Sequence, residues 1–248
     1  MVAATSWDDP LPLVPAVSPD HPEFVRAAGH FSRRLPATVH DALVDFVDHA
    51  CDAGAMLIRN VPVGALPPTP ATPTSDTRKD HVSEFVLLAV ARRLGQPVGY
   101  LPELGGAIVQ NIVPMATTSD RQTSTSSKVE LMFHTEAAFH PHRPRYLVLL
   151  CLRGDQAAAT ELASIIELQE VLPRSVRETL FEPRFRTAVD ESYLGTRSTL
   201  LGPPMAVLAG PWERPRMIFD ADLMVVQRAT YNFDQAIIVD RRRAALAA

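Results

Sequence analysis

The stretch FHTEAAFHPHRPRYLVLLCLR, residues 133–153, carries the pattern that decides the fold. Two strand-like segments flank its proline-containing turn, Val129–Glu136 and Arg145–Leu152, because short apolar runs bounded by turn residues are typical of strands. In a strand, residues i and i+2 point to the same face, so His134 and Glu136 would present an imidazole and a carboxylate side by side. The sequence therefore predicts a β-rich core with a polar pair on one strand.

The rest of the chain divides into a helical N-terminal part and a remainder of short strands. The proline-rich residues 1–36 are predicted to form an irregular arm. Helical spacing of apolar residues predicts helices over Ala37–Ala53 and Val82–Leu94, and Pro173 precedes a short predicted helix, Arg174–Leu180. The remaining predicted strands are Ala55–Val61, Ala107–Val113, Ala158–Ile165, Arg184–Val189, Met205–Leu208 and Met217–Phe219. Two helices followed by many short strands indicate an α+β fold with a β-sandwich or barrel core.

The composition of the chain limits which kinds of molecule it is expected to bind. The 248 residues carry a formal net charge of −4 and no basic tract, which argues against a nucleic-acid surface because such a surface needs clustered Lys and Arg. No signal peptide is visible, and the longest apolar runs fall far short of the about 20 residues of a membrane span. We therefore expect a soluble, cytoplasmic protein that binds a small molecule.

The His-x-Glu pair is the candidate metal motif. Together with a second histidine from a distant strand, His134 and Glu136 would form a 2-His-1-carboxylate triad, which leaves open positions on iron(II). A lone His-x-Glu is also typical of surface or core residues that bind no metal. The surrounding sequence therefore has to decide between the two interpretations.

The segment Ala116–Lys128 is almost purely polar and rich in Ser and Thr. Beside a candidate site, such a loop is typical of a mobile lid. A disordered surface insertion would have the same composition, so both interpretations stay open.

Several ordered motifs surround the pair, and together they resemble one family. They are Gln110–Pro114, Phe133–Arg153, Ala158–Ser164, Phe181–Phe185, Val207–Gly210 and Phe219–Asp222. In this order they resemble the clavaminate synthase-like iron(II)/2-oxoglutarate-dependent oxygenases, which include arginine and asparagine β-hydroxylases of peptide-antibiotic pathways. The resemblance implies a double-stranded β-helix (jelly-roll) fold. It also implies iron(II), with 2-oxoglutarate and O₂ as cosubstrates, and hydroxylation of a free amino acid.

The resemblance assigns roles to individual residues. His134 and Glu136 match the iron ligands of the family, and Thr160 matches a hydroxyl that contacts the 2-oxoglutarate carboxylate. Gln110 matches a residue that contacts the amino-acid substrate.

Asp220 and Asp222 match an acidic pair that grips the guanidinium group in the arginine hydroxylases. A planar guanidinium is best held by carboxylates in paired, charge-assisted hydrogen bonds. We therefore expect arginine or an arginine-like substrate. A solvated strand end is the alternative interpretation of the same two residues.

The third iron ligand departs from the family pattern. Relatives end with a strand resembling Val-Asp-Asn-x-Arg-x-x-His-Gly-Arg, whose histidine completes the triad. Here Ile237–Ala248 matches that strand, Leu246 stands where the histidine belongs, and no histidine follows His142. The single oxygenase domain expected over residues 37–248 is therefore expected to be truncated or shortened at its C-terminus.

Three explanations for this departure stay open. In the first, which we expect because the upstream site residues are intact, the sequence is a truncated form of a complete enzyme. In the second, the protein is a paralogue that binds an amino acid without turnover. In the third, another group, such as His140 or a residue of a partner chain, completes the site. A hydrolytic zinc site formed by His134, Glu136 and His140 is a further alternative.

Overall fold

The computed structural model describes residues 2–3, 7, 11–49, 51–73, 79–155, 159–194 and 200–226. Contacts within the chain divide it into two units, which are Met1–Leu131 with Pro144–Leu162 and Met132–Arg143 with Ala163–Ala248. Each unit is therefore built from two separate stretches of sequence.

Three helices form the core of the first unit. They are α1 (Pro22–Phe31), α2 (Ala37–His49) and α3 (Val82–Leu94). The rings of Phe24 and Phe85 meet edge to face at 5.6 Å, and Phe31 lies 5.5 Å from Phe85. Aliphatic side chains of α2 and α3, such as Leu43 and Leu88, complete this buried cluster. Apolar burial of this kind is the main stabilising term for a set of short helices.

The structure confirms the predicted helices α2 and α3. The first begins at Ala37 as predicted but ends at His49, and residues 51–53, which were predicted to be helical, are not; α3 has the predicted bounds. Gly95 follows α3 and donates its N–H to the Ala91 carbonyl at 3.0 Å. At the other end, the Asp80 carboxylate accepts the Val82 N–H at 3.1 Å and so satisfies one of the unpaired donors of the first turn.

Helix α1 corrects the prediction that residues 1–36 are irregular throughout. Pro22 lies in its first turn, where the missing N–H is no loss, and the His21 ring accepts a backbone N–H of that turn. Buried residues recur along it at helical spacing: Phe24, Ala28 and Phe31. Proline density suggested a loop, but the apolar residues after Pro22 have helical spacing and lie in a helix.

Strands are few in the described part of the first unit. β1 (Val2–Ala3) pairs in parallel with β2 (Leu57–Ile58), which lies inside the predicted strand Ala55–Val61. The predictions of strands at Ala107–Val113 and Arg145–Leu152 are wrong for the described structure, because neither segment is paired in a ladder. An alternating pattern predicts an extended backbone, whereas a strand also needs a hydrogen-bonded neighbour that the pattern cannot supply.

The segment Arg145–Leu152 does show the alternation that suggested a strand. The Tyr146 ring lies 6.1 Å from that of Phe46, and Val148 packs against the core. Leu147 and Leu149 are 59 % and 58 % exposed. The sequence therefore predicted the two faces of this segment correctly and its pairing incorrectly.

The second unit combines short helices with two antiparallel strand pairs. Its helices are α4 (Ile165–Leu168), α5 (Arg174–Leu180) and α6 (Glu191–Leu194). Its strands are β3 (Phe185–Thr187), β4 (Leu208–Ala209), β5 (Arg216–Met217) and β6 (Met224–Val226). β3 pairs with β6, and β4 pairs with β5. Its core contains Ile165, Phe185, Val207 and Leu208.

The predicted helix Arg174–Leu180 is confirmed, and β3, β4 and β5 lie in or next to predicted strands. The predicted strand Ala158–Ile165 is wrong over its described part, since Ile165 begins α4. The Ser164 hydroxyl accepts the Ile166 N–H at 3.2 Å and caps this helix. In the described residues, no helix is both long and apolar enough to cross a membrane.

Candidate functional site

His134 stands directly opposite Asp220 in an antiparallel bridge. Thr135 donates its N–H to the Phe219 carbonyl at 2.6 Å, and its hydroxyl accepts the Phe219 N–H at 3.1 Å. The backbone bonds flank the His134–Asp220 pair rather than join it, which is the arrangement in which opposing Cα atoms approach to about 4.5 Å. Opposing residues in such a bridge direct their side chains to the same side, which holds for His134 and Asp220. The bridge is isolated, so the prediction of a strand over Val129–Glu136 is wrong for the described structure.

One hydrogen bond determines which nitrogen of His134 is available. Its Nδ1 lies 2.7 Å from the Met132 carbonyl oxygen. A carbonyl only accepts, so Nδ1 carries the proton and Nε2 is left with the lone pair that binds a metal. Metal-binding histidines are commonly oriented by such a bond from the second ring nitrogen. The arrangement fits the predicted role of His134.

Glu136 lies where the extended segment ends in a tight turn. Ala137 has φ of +47°, a left-handed conformation that is uncommon for a residue with a Cβ atom. Ala138 donates its N–H to the Thr135 carbonyl at 3.1 Å, and Arg143 donates to the Ala138 carbonyl at 3.3 Å. This turn holds the partly buried Glu136 two residues from His134.

The donor set suits iron(II) as far as it is described. A neutral imidazole and a carboxylate are two members of the 2-His-1-carboxylate set that binds non-haem iron(II) with positions left open. Among the described residues, no three His, Cys, Asp or Glu side chains cluster closely enough to hold a metal. Ile237–Ala248, including Leu246 at the predicted place of the third ligand, lies outside the described residues.

His140 does not complete such a cluster. Its Nδ1 accepts the His142 N–H at 3.0 Å, and its ring packs 5.9 Å from the Tyr193 ring. The described structure therefore does not support the hydrolytic site predicted as an alternative from His134, Glu136 and His140.

The Asp220 carboxylate has a defined place beside His134. Its Oδ1 accepts the N–H groups of Asp222 at 2.9 Å and Leu223 at 2.8 Å, which holds the turn that leads into β6. Asp222 is exposed and Asp220 is partly buried. The structure thus brings one of the two predicted guanidinium-binding residues next to a predicted iron ligand, in a pairing that the sequence did not reveal.

The other two predicted site residues belong to the first unit. Gln110 and Thr160 are both exposed, and both lie in segments without strand pairing among the described residues. Their predicted contacts with the amino acid and with 2-oxoglutarate stay predictions.

Two groups that orient the site were missed from the sequence. The Met132 carbonyl is a backbone group, so no residue type could have indicated its role. Arg143 donates to the carbonyls of Ala138 at 3.3 Å and His140 at 2.8 Å, and so closes the turn after Glu136. In the sequence, the position of Arg143 between Pro141 and Pro144 indicates a turn but not this contact.

The polar loop Ala116–Lys128 is ordered by its own hydrogen bonds. Met115 donates its N–H to the Thr125 carbonyl at 2.9 Å, and Lys128 donates its N–H to the Ser119 carbonyl at 3.0 Å. These bonds give the loop a defined conformation, and its role as a lid stays a prediction.

Known proteins similar to this chain are oxygenases that act on amino acids or related compounds. No family model matches the chain. It is 36 % identical to an L-asparagine oxygenase of Streptomyces coelicolor over 86 % of its own length and 62 % of the relative. It is 36 % identical to an L-lysine 3-hydroxylase of Catenulispora acidiphila, covering 82 % of this chain and 58 % of the relative. Clavaminate synthase 2 of Streptomyces clavuligerus is 30 % identical, over 79 % of this chain and 63 % of the relative. The chain thus spans less than two thirds of each relative.

Solved structures give the same result. A structure of asparagine oxygenase with Fe(II), 3-hydroxyasparagine and succinate matches with a TM-score of 0.80 and 32 % identity, over 93 % of this chain and 71 % of that one. The non-heme iron oxygenase OrfP with Fe, succinate and hydroxy-L-Arg matches with a TM-score of 0.71 and 26 % identity, over 91 % and 71 %.

These similarities confirm the resemblance drawn from the ordered motifs. Iron and 2-oxoglutarate or succinate occur in the similar solved structures, which confirms iron(II) and 2-oxoglutarate as the cofactor and cosubstrate of the family. The chain belongs to the clavaminate synthase-like iron(II)/2-oxoglutarate-dependent oxygenases.

Proposed function

We propose that the protein is an iron(II)/2-oxoglutarate-dependent hydroxylase of a free amino acid, with arginine or an arginine-like compound as substrate, in natural-product biosynthesis. The observation that carries this proposal is the antiparallel pairing of His134 with Asp220. It sets a carboxylate that suits a cationic side chain beside an imidazole whose Nε2 is available for a metal.

The metal would be held by His134 Nε2 and the Glu136 carboxylate. When bound with 2-oxoglutarate, it supplies the oxidation of an unactivated C–H bond by O₂. The chain's own contribution is orientation. The bond from His134 Nδ1 to the Met132 carbonyl, 2.7 Å long, sets the ring plane, and the Ala137 turn sets the carboxylate. Thr160 would contact the 2-oxoglutarate carboxylate, and Gln110 the amino acid.

The substrate side chain would be held by Asp220 and Asp222. Asp220 Oδ1 accepts two backbone N–H groups, so we assign the contact with the substrate to Oδ2. A guanidinium offers parallel N–H donors that match carboxylate oxygens, whereas the asparagine amide carries no charge. The lysine 3-hydroxylase relative and the OrfP structure with hydroxy-L-Arg both concern cationic amino acids, which supports this choice.

We infer the double-stranded β-helix for the β-rich part of the chain. The TM-score of 0.80 to asparagine oxygenase supports this fold. The described strands, of two or three residues each, form antiparallel pairs in the second unit, which is compatible with it.

Amino-acid-dependent succinate formation tests the proposed activity. The protein is incubated with Fe(II), 2-oxoglutarate and O₂ and with L-arginine, L-lysine or L-asparagine, and succinate and hydroxylated product are quantified by mass spectrometry. We expect arginine to stimulate both most strongly. The proposal fails if no amino acid stimulates succinate formation, and the arginine assignment fails if asparagine is preferred.

The alternative is a non-catalytic amino-acid-binding paralogue. It is favoured by the sequence, in which Leu246 stands where the family has its third ligand. Anaerobic calorimetry distinguishes the two functions, since the paralogue would bind L-arginine with unchanged affinity in the absence and presence of Fe(II), and would bind Fe(II) weakly.

A further inference from the structure

A buried ion pair lies against the segment that carries Gln110. Lys79 Nζ is 3.0 Å from Glu84 Oε1 and 2.7 Å from Asn111 Oδ1. The Ser83 hydroxyl donates to Glu84 Oε2 at 2.7 Å. The Lys79 and Glu84 side chains are only 10 % and 6 % exposed, so water does little to screen the pair.

Both members of this pair form hydrogen bonds with neighbouring side chains. Burial raises the pKa of Glu84, but the hydrogen bonds from Ser83 and Lys79 outweigh it and leave the pKa below its usual value. Both Glu84 oxygens accept a hydrogen bond, and two of the Lys79 donors are used. Buried pairs of this kind add little net stability compared with apolar packing, whereas their geometry is demanding. The geometry of the pair is therefore suited to holding Asn111 in place.

Asn111 and Gln110 lie on opposite faces of one extended segment. Asn111 is partly buried and Val113 is 7 % exposed, whereas Gln110 and Ile112 are exposed. This alternation is the one expected of extended backbone. A contact that holds Asn111 on the inner face consequently determines the direction of Gln110 on the outer face.

Two contacts with side chains, and not a strand ladder, hold residues 107–113 in place. Among the described residues, no strand pairs with residues 107–113. The Ile108 N–H donates to Asp20 Oδ1 at 2.7 Å, and Asn111 accepts from Lys79. An extended segment without a ladder can slip, and a slip of one residue would exchange the faces of Gln110 and Asn111.

We propose that Lys79 and Glu84 are positioning residues that act through Asn111 to orient Gln110 toward the amino-acid substrate. The inference rests on the proposed function, in which Gln110 contacts the substrate. According to this inference, Lys79, Glu84 and Asn111 influence substrate affinity through the orientation of Gln110 and not through contacts of their own.

A pair of Asn111 variants provides the test. Asn111→Leu removes the oxygen that accepts from Lys79, whereas Asn111→Asp keeps it. We expect Asn111→Leu to raise the Kd for L-arginine, measured by calorimetry, about tenfold, as expected for a lost hydrogen bond and misplaced contact. The KM for the amino acid should rise in parallel, while the KM for 2-oxoglutarate stays within about twofold. Asn111→Asp should remain within about twofold of the wild type.

A double-variant cycle shows whether Asn111 acts through Gln110. In a Gln110→Leu background, Asn111→Leu should change the Kd for L-arginine by less than about twofold, since residues that act in series are not additive. A full additional loss of affinity in that background would overturn the inference.

Hydrogen exchange tests the positioning without any substrate. Asn111→Leu should accelerate exchange of the amides of residues 107–113 and leave the amides of α3 protected, and Asn111→Asp should restore the wild-type rate. Unchanged exchange in this segment would overturn the inference by itself. If the wild type binds none of L-arginine, L-lysine and L-asparagine, the proposed function fails, and the substrate part of the inference fails with it.

Discussion

The position of the ring proton on His134 decides which of its nitrogens can bind a metal. The Met132 carbonyl holds that proton on Nδ1 and directs Nε2 outward. The neighbouring Asp220 carboxylate is held in turn by backbone N–H groups, so both side chains are oriented before any ligand arrives. Pre-orientation of this kind reduces the entropy lost on binding.

The buried Glu84 should make stability depend on pH. Its pKa is lowered in the folded state, so its contribution is present above the unfolded value of 4.5 and is lost as the pH falls through the folded value. Lys79 and His81 are the basic groups that face it. We expect Glu84→Gln to lower the free energy of unfolding by about 2–4 kcal/mol at pH 7, because it leaves Lys79 without its charged partner.

Urea denaturation of Glu84→Gln at pH 7 and at pH 4 checks this expectation, and the difference from the wild type should shrink at the lower pH. Glu178→Gln is the matched control, since Glu178 forms an exposed pair with Arg174. It should change the free energy of unfolding by less than about 0.5 kcal/mol. Equal losses for the two variants would contradict the account.

The left-handed Ala137 should tolerate glycine and reject a β-branched residue. With φ of +47° and only 8 % exposure, it combines backbone strain with a confined side chain. Ala137→Val should lower the free energy of unfolding by about 2–4 kcal/mol, whereas Ala137→Gly should stay within about 1 kcal/mol, because glycine adopts this conformation freely. Thermal unfolding of the two variants measures the difference. A stable valine variant would show that the turn after Glu136 can relax.

Among the elements, the turn before residues 107–113 depends on a close approach of two glycines. A Cβ atom on Gly99 would lie 2.2 Å from the Gly106 carbonyl oxygen, which is a backbone atom and cannot rotate away. We expect Gly99→Ala to lower the free energy of unfolding by more than about 2 kcal/mol. Gly95→Ala is the control, because a Cβ atom there meets nothing within 4 Å. Denaturation curves that coincide for the two variants would contradict this packing.

The elements also show what the sequence could and could not predict. Helix α3 was predicted correctly because its apolar spacing and the stop at Gly95 are local signals. Residues 110–113 and the segment Arg145–Leu152 have alternating faces. Strand pairing depends on a distant part of the chain and could not be derived from this alternation. Proline density concealed α1, although its apolar residues are helically spaced.

The candidate site divides in the same way. The spacing of His134 and Glu136 predicts a common face, and the ordered motifs predict their roles as ligands, and both stay predictions. The pairing of His134 with Asp220 joins two residues far apart in sequence, and the contact of Lys79 with Asn111 spans 32 positions. Neither contact has a periodic signature, so only the folded chain reveals them.

At the scale of the whole molecule, each predicted site residue can be assigned to one of the two units. His134, Glu136, Asp220 and Asp222 belong to the second unit, and Gln110 and Thr160 belong to the first. The chain spans 62 % of the length of the asparagine oxygenase relative, so the activity of the whole protein is a proposal that experiments on the metal and the substrate have to decide.

Anomalous diffraction at the iron edge tests the central claim most directly, on crystals grown anaerobically with Fe(II) and 2-oxoglutarate. The account predicts one strong iron peak bonded to His134 Nε2 and to the Glu136 carboxylate, with Nδ1 still facing the Met132 carbonyl. Iron bonded to Nδ1, or located away from His134 and Glu136, would contradict it.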